Sequence, residues 1–133
     1  MPRLPRTPGT TSKAVMAYAL TAFLVFVIAL LTLIPQASGP VGIPGFDKMA
    51  HLAAFAVVSA PLAWRFPHVW RGVALAALAY GGIIEIVQPF MGRAASWGDL
   101  LADGAGAFVG AFIASRIGKR RRARAGFAKP NNR

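Results

Sequence analysis

Residues Ala14–Ile34 run for 21 positions without a charge, and a water-soluble fold has no easy place for such a segment. At about 1.5 Å of rise per residue, a helix of this length crosses the roughly 30 Å hydrocarbon core of a bilayer. A cleaved secretory signal is the competing reading. Signals carry a shorter apolar region and a small-residue cleavage site, and no clear site follows Ile34. The run is therefore expected to be a first transmembrane helix. Composition agrees, since 56% of the residues are hydrophobic, against about 45–50% in soluble domains.

Charge placement sharpens this expectation. Fifteen Lys and Arg stand against four Asp and Glu, a net charge of +11. Such an excess can mark a nucleic-acid binder, so its distribution has to decide. Eight of the fifteen lie from Arg116 onward and three lie before Ala14, leaving the long middle nearly uncharged. That is a membrane pattern; the lipid bilayer is the expected partner and nucleic acid is not. The basic C-terminal segment reads as a topology signal and as a contact for anionic lipid. With no cysteine, disulfides and thiolate metal sites are excluded.

The fold class expected is all-α, an integral membrane bundle of four transmembrane helices. Residues 1–13, with three prolines, read as a basic disordered tail. Residues 14–117 form the membrane domain and 118–133 a basic cytoplasmic tail. Pro35–Phe46, with three prolines and three glycines, reads as a loop. Asp47 is placed to N-cap a second helix running to about Trp64, short for a span. A third helix is expected from near Gly72 to Gln88, and a fourth from about Trp97 to Ile117. The tails and the Arg65–Arg71 loop then share one side and hold thirteen Lys or Arg, against two, Lys48 and Arg93, on the other. The positive-inside rule puts both termini in the cytoplasm.

This topology gathers the unusual residues at the outer face. Asp47, Lys48 and His51 begin the second helix, and Glu85 and Gln88 end the third. Arg93 and Ser96 lie in the turn; Asp99 and Asp103 begin the fourth helix. By helical rise, His51, Glu85 and Asp103 lie roughly 6–9 Å below the boundary. Asp47 and His51, like Asp99 and Asp103, are four residues apart and share a face. Gly106 and Gly110 continue the fourth-helix face as a close-packing pair, where an added side chain should do more harm than one at Ala107. Gly81, Glu85 and Gln88 line a stripe of the third.

Each residue also has a plainer role. Ser96-Trp-Gly-Asp99 fits a capping box. Lys48 can snorkel, Arg93 can cap carbonyls or meet head groups, and His51 can be a hydrogen-bonded core residue. Salt bridges from Glu85 and Asp103 to Arg93 and Lys48 would merely brace the bundle. The tryptophans at 64, 70 and 97 read as interfacial anchors. Three chemistries fit the layer. His51, Glu85, Asp99 and Asp103 could ligate a divalent metal, the one cofactor the residues suggest. Two outward helix N-termini, with Lys48, Arg93 and His51, could hold a phosphate or a carboxylate. Acid–base catalysis by His51, Glu85 or Asp99 is the third. The sequence leaves all three open.

Asp47-Lys48-x-x-His51-x-x-x-Phe55, followed by Tyr80-Gly81-x-x-Ile84-Glu85-x-x-Gln88-x-Phe90-x-x-Arg93-x-x-Ser96-x-x-Asp99-x-x-Ala102-Asp103-x-x-Gly106-Ala107-x-x-Gly110, resembles the VanZ-like membrane proteins. The resemblance covers motifs within residues 47–110. It makes Asp47, Lys48, His51, Glu85, Gln88, Arg93, Ser96 and Asp99 the candidate site. Asp103 is a departure, because this position commonly carries Asn in the family. The resemblance implies a multi-pass protein of a bacterial-type plasma membrane, in a family whose namesake is associated with resistance to the glycopeptide teicoplanin. Resistance does not transfer by fold. The function expected is binding, with modification as a further step, of an envelope lipid or lipid-linked phosphate precursor. A structural or interaction protein braced by its charged layer is the alternative, and a small transporter the third.

Overall fold

The computed structural model describes residues 8–34 and 45–127, so most of the expected 35–46 loop lies outside the described residues. Four helices account for nearly all of what is described: α1 Pro8–Leu33, α2 Phe46–Arg65, α3 Trp70–Val87 and α4 Trp97–Phe127. Short 3-10 turns at Pro67–Val69 and Gln88–Met91 adjoin α3, and there is no strand among the described residues. Pro67 and Pro89 sit at the starts of those turns, where a missing N–H costs nothing.

Three of the boundaries differ from the sequence reading. α1 starts at Pro8, so Pro8–Lys13 of the expected tail is helical, with proline in the first turn where it is tolerated. α4 continues through Lys119–Phe127, a stretch of Arg, Lys and Ala with good helix propensity and no proline. Asp47 is not an N-cap. Gly45, in the left-handed region at φ 83°, occupies that position, and Asp47 falls in the first turn of α2.

α1 is apolar nearly all round and buries little. Phe23 and Phe26 are 62% and 64% exposed. A helix apolar on every side is stable in lipid and a liability in water. Three segments, Thr11–Leu33, Pro67–Met91 and Trp97–Phe127, are long and apolar enough to cross a membrane. α2 is not among them, because Asp47, Lys48 and His51 occupy its first two turns and Arg65 its last.

α2 instead packs along α4 more extensively than any other two elements meet. Small residues make this possible. A Cβ added at Gly106, Gly110 or Gly118 would strike the backbone carbonyl of Leu52, Ala56 or Trp64 respectively. These three glycines extend the close-packing face by two further turns beyond the expected pair. Ala63, Ala74, Ala111 and Ala114 are buried beside them, while Phe55, Val58, Ile84, Ala107 and Ile28 form the larger apolar cluster nearer the polar layer. Two hydrogen bonds cross this core: Ser59 Oγ donates to the Ala107 carbonyl at 3.1 Å, and Tyr80 Oη to the Val25 carbonyl at 2.6 Å. The arrangement carries the end of α1, the start of α2, the end of α3 and the start of α4 to one end of the molecule.

Candidate functional site

At that end the candidate residues meet. His51, Glu85, Gln88, Asp99 and Asp103 are all buried, and Asp103 is fully so. His51 Nδ1 and Asp103 Oδ1 are 2.9 Å apart, joining α2 to α4. Lys48 Nζ donates to Asp99 Oδ1 at 3.4 Å, a second tie between the same helices. Asp47 reaches only the far side of the imidazole, with Oδ1 3.9 Å from Nε2, and is itself largely exposed. The partners therefore differ from those of the expected brace. Asp103 pairs with His51 and not Lys48, and Arg93 makes no ion pair among the described residues.

Glu85 completes a cap on another helix. Ser96 Oγ accepts the Asp99 N–H at 3.3 Å, which is one half of a capping box. The reciprocal half is absent from α4, because Asp99 turns to Lys48. Glu85 of α3 supplies it, its Oε2 accepting the Ser96 N–H at 2.7 Å. The local pattern was visible in sequence, but only the fold could substitute a residue eleven positions away.

Gln88 and Arg93 serve the end of α1. Arg93 donates to the Thr32 carbonyl at 3.1 Å, and Gln88 Nε2 approaches the same oxygen at 3.4 Å. Thr32 belongs to the last turn of α1, whose carbonyls lack helical donors and carry the negative end of the dipole. Thr32 was not a candidate from sequence. Its signal would have been its position at a helix C-terminus facing a lone arginine.

Two carboxylate oxygens stand out. Glu85 Oε1 and Asp103 Oδ2 are buried without a hydrogen-bond partner among the described residues. Such groups are costly in an apolar surrounding. Gly81 makes room for the second; a Cβ there would lie 2.8 Å from Asp103 Oδ2. His51, Glu85 and Asp103 present ligand atoms within 4.8 Å of one another, as do Asp47, His51 and Asp99. One imidazole nitrogen and carboxylate oxygens form a donor set suited to a divalent cation.

A groove of about 250 Å³ opens on one side of this layer, lined by Asp47, His51 and Arg93 at its polar end and by Ile28, Leu31 and Ala54 along its wall. A second, of about 300 Å³, lies on the other side against Glu85, Ser96 and the exposed ring of Trp97.

The family model described as VanZ/LLP1 matches residues 6–118. No curated protein and no solved structure matches the chain.

Proposed function

The chain belongs to the VanZ/LLP1 family, and from that premise we propose that it is a four-span protein of a bacterial-type plasma membrane that binds an envelope lipid, or a lipid-linked precursor, by its phosphate. The spans divide as a membrane domain of residues 14–117 with basic flanking segments in the cytoplasm. α2, too polar at its ends to qualify alone, crosses by packing against the small-residue face of α4. The polar layer then faces outward.

The observation that carries this reading is the groove between α1 and α2. It begins at Arg93 and His51 and continues along Ile28, Leu31 and Ala54. That is the shape and polarity of an amphiphile. An anionic head group would lie at the arginine and imidazole, and a chain against the apolar wall. The crowded carboxylates would repel a bare phosphate. His51, Glu85 and Asp103 are the residues that would hold a divalent cation, whose charge would offset theirs and favour an anionic ligand nearby. Without a cation on the imidazole, His51, oriented by Asp103, would instead be the group placed to take a proton from a bound lipid, with Glu85 and Asp99 completing the charged wall.

A layer built only to brace the helices is the alternative, and Lys48–Asp99 and Glu85–Ser96 do tie α2, α3 and α4 together. Against it stand two buried carboxylate oxygens with no hydrogen-bond partner among the described residues, a costly feature in a layer built for stability alone. Native mass spectrometry of the purified protein separates the two. His51→Gln and Arg93→Gln should fold with melting temperatures close to wild type and lose most co-purified phospholipid and divalent metal. Unchanged retention in both variants, or loss of stable protein in both, would favour the brace.

A further inference from the structure

The opposite end of the molecule has a cleft of its own, and the polar layer does not account for it. A cavity of about 460 Å³ lies among α1, α2 and α4, lined by Lys13, Trp64, Arg65, Gly118, Arg121 and Arg122. An apolar groove of about 310 Å³ continues from it, lined by Ala17, Leu20, Pro61, Ala114 and Ile117. The two share Lys13, Met16 and Trp64, so they form one continuous path from cations to hydrocarbon.

The cations are organised on a single face. Gly118, Arg121, Arg122 and Ala125 are spaced i, i+3, i+4 and i+7, which is one stripe of α4, while Arg120 and Arg124 lie off it. Gly118 lets the stripe close on the Trp64 carbonyl. Beyond that contact Arg122 donates to the Arg65 carbonyl, and the Arg121 guanidinium sits 6.0 Å from the centre of the Trp64 ring. Lys13 enters from α1, from a segment that the sequence alone reads as disordered.

No acidic side chain balances this charge. The chain has four Asp and Glu in all, and they are the four residues of the polar layer. Among the described residues no anionic group faces this cluster, and an anion from the surrounding membrane would complement it. A soluble anion would leave the groove's apolar floor exposed; a nucleic acid would leave it equally unfilled. An amphiphile satisfies both halves at once.

We infer that this cleft binds an anionic phospholipid of the leaflet at the basic end, with its phosphate among Lys13, Arg121 and Arg122 and one acyl chain in the groove between α1, α2 and α4. This inference stands apart from the function proposed for the polar layer. It assigns a specific seat to a charge cluster whose general attraction for anionic membranes is diffuse.

The test uses the full chain in nanodiscs of phosphatidylcholine doped with phosphatidylglycerol, followed by release into detergent and counting of retained lipid by native mass spectrometry. Wild type should retain phosphatidylglycerol in preference to phosphatidylcholine. R121Q/R122Q should reduce that retention by roughly thirtyfold, with each arginine near anionic lipid worth about fivefold. R120Q/R124Q removes the same formal charge from the same helix outside the cleft, and should change retention by less than about threefold. K13Q, on a different helix, guards against a local fault in α4 and should reduce retention by about fivefold. The variants are compared in a His51→Gln background, so that lipid held at the polar layer does not enter the count. An equal loss in R120Q/R124Q would mean diffuse attraction only, and would overturn the cleft. So would retention of phosphatidylglycerol in both R121Q/R122Q and K13Q.

Discussion

The two ends of this molecule handle charge in opposite ways. At the polar end every acid is present and four of the helices' polar partners come from a different helix: Asp99 for Lys48, Asp103 for His51, Ser96 for Glu85, Thr32 for Arg93. At the basic end there is no acidic side chain, and guanidiniums lie over rings, Arg71 on Trp70 at 5.4 Å and Arg116 on Phe112 at 4.9 Å. Burial explains the contrast. A charge in low dielectric needs a fixed partner, whereas one at a wet boundary is solvated, screened and replaceable. Identity should therefore matter at the polar end, and number at the basic end outside the α1–α2–α4 cleft.

The largest effect expected is all-or-none. If the ends lie on opposite sides of the membrane, reporters fused after residue 133 and after residue 92 give opposite compartment signals. Signals from the same side would rule out the four-span arrangement and place both ends at one membrane face.

Next in size is the seam that holds the two ends in register. Gly106→Leu drives a side chain into the Leu52 carbonyl, and backbone cannot yield as a side chain can. A loss of about 3 kcal/mol or more in detergent unfolding is expected. Ala107 is no lenient control, contrary to the sequence expectation, because it is fully buried in the apolar cluster and its carbonyl accepts Ser59. Val109, 53% exposed, is the proper comparison, and Val109→Leu should be close to neutral. A stable Gly106→Leu variant would refute the close α2–α4 approach.

Within the polar end, Glu85 distinguishes shape from charge. Glu85→Leu leaves the Ser96 N–H without its acceptor and should cost about 1–3 kcal/mol. Glu85→Gln keeps an oxygen for that N–H and should melt near wild type. Equal melting temperatures for the two variants would show that the trans-helix cap contributes nothing.

The smallest effect compares single cations at the two ends. Lys48→Met strips buried Asp99 of its cation, though Lys48 itself is half-exposed, and about 1 kcal/mol is expected. Arg124→Gln, off the cleft and without an acid nearby, should change stability by less than about 0.5 kcal/mol. If both variants lose the same stability, the two ends do not differ in how tightly they depend on a single cation.

The apolar runs, the break at Pro89, and the distribution of cations were legible in the sequence, because the partition of side chains between lipid and water depends on residue type and spacing alone. The same logic placed His51, Glu85 and Asp103 at one depth, and their ligand atoms do converge. Helix ends were less legible. Pro8–Lys13 and Lys119–Phe127 are polar enough to read as tails, yet polar residues also extend a helix past a membrane boundary. Partner choice was the least legible. Asp99 satisfies a capping pattern locally but turns to Lys48, and Glu85 takes over its task at Ser96. Spacing along one helix fixes which residues share a face; which face meets which neighbour, and at what distance, is set by the glycines that let α4 lie against α2. Only the tertiary structure decided that contact, since its energy comes from atoms about fifty residues apart.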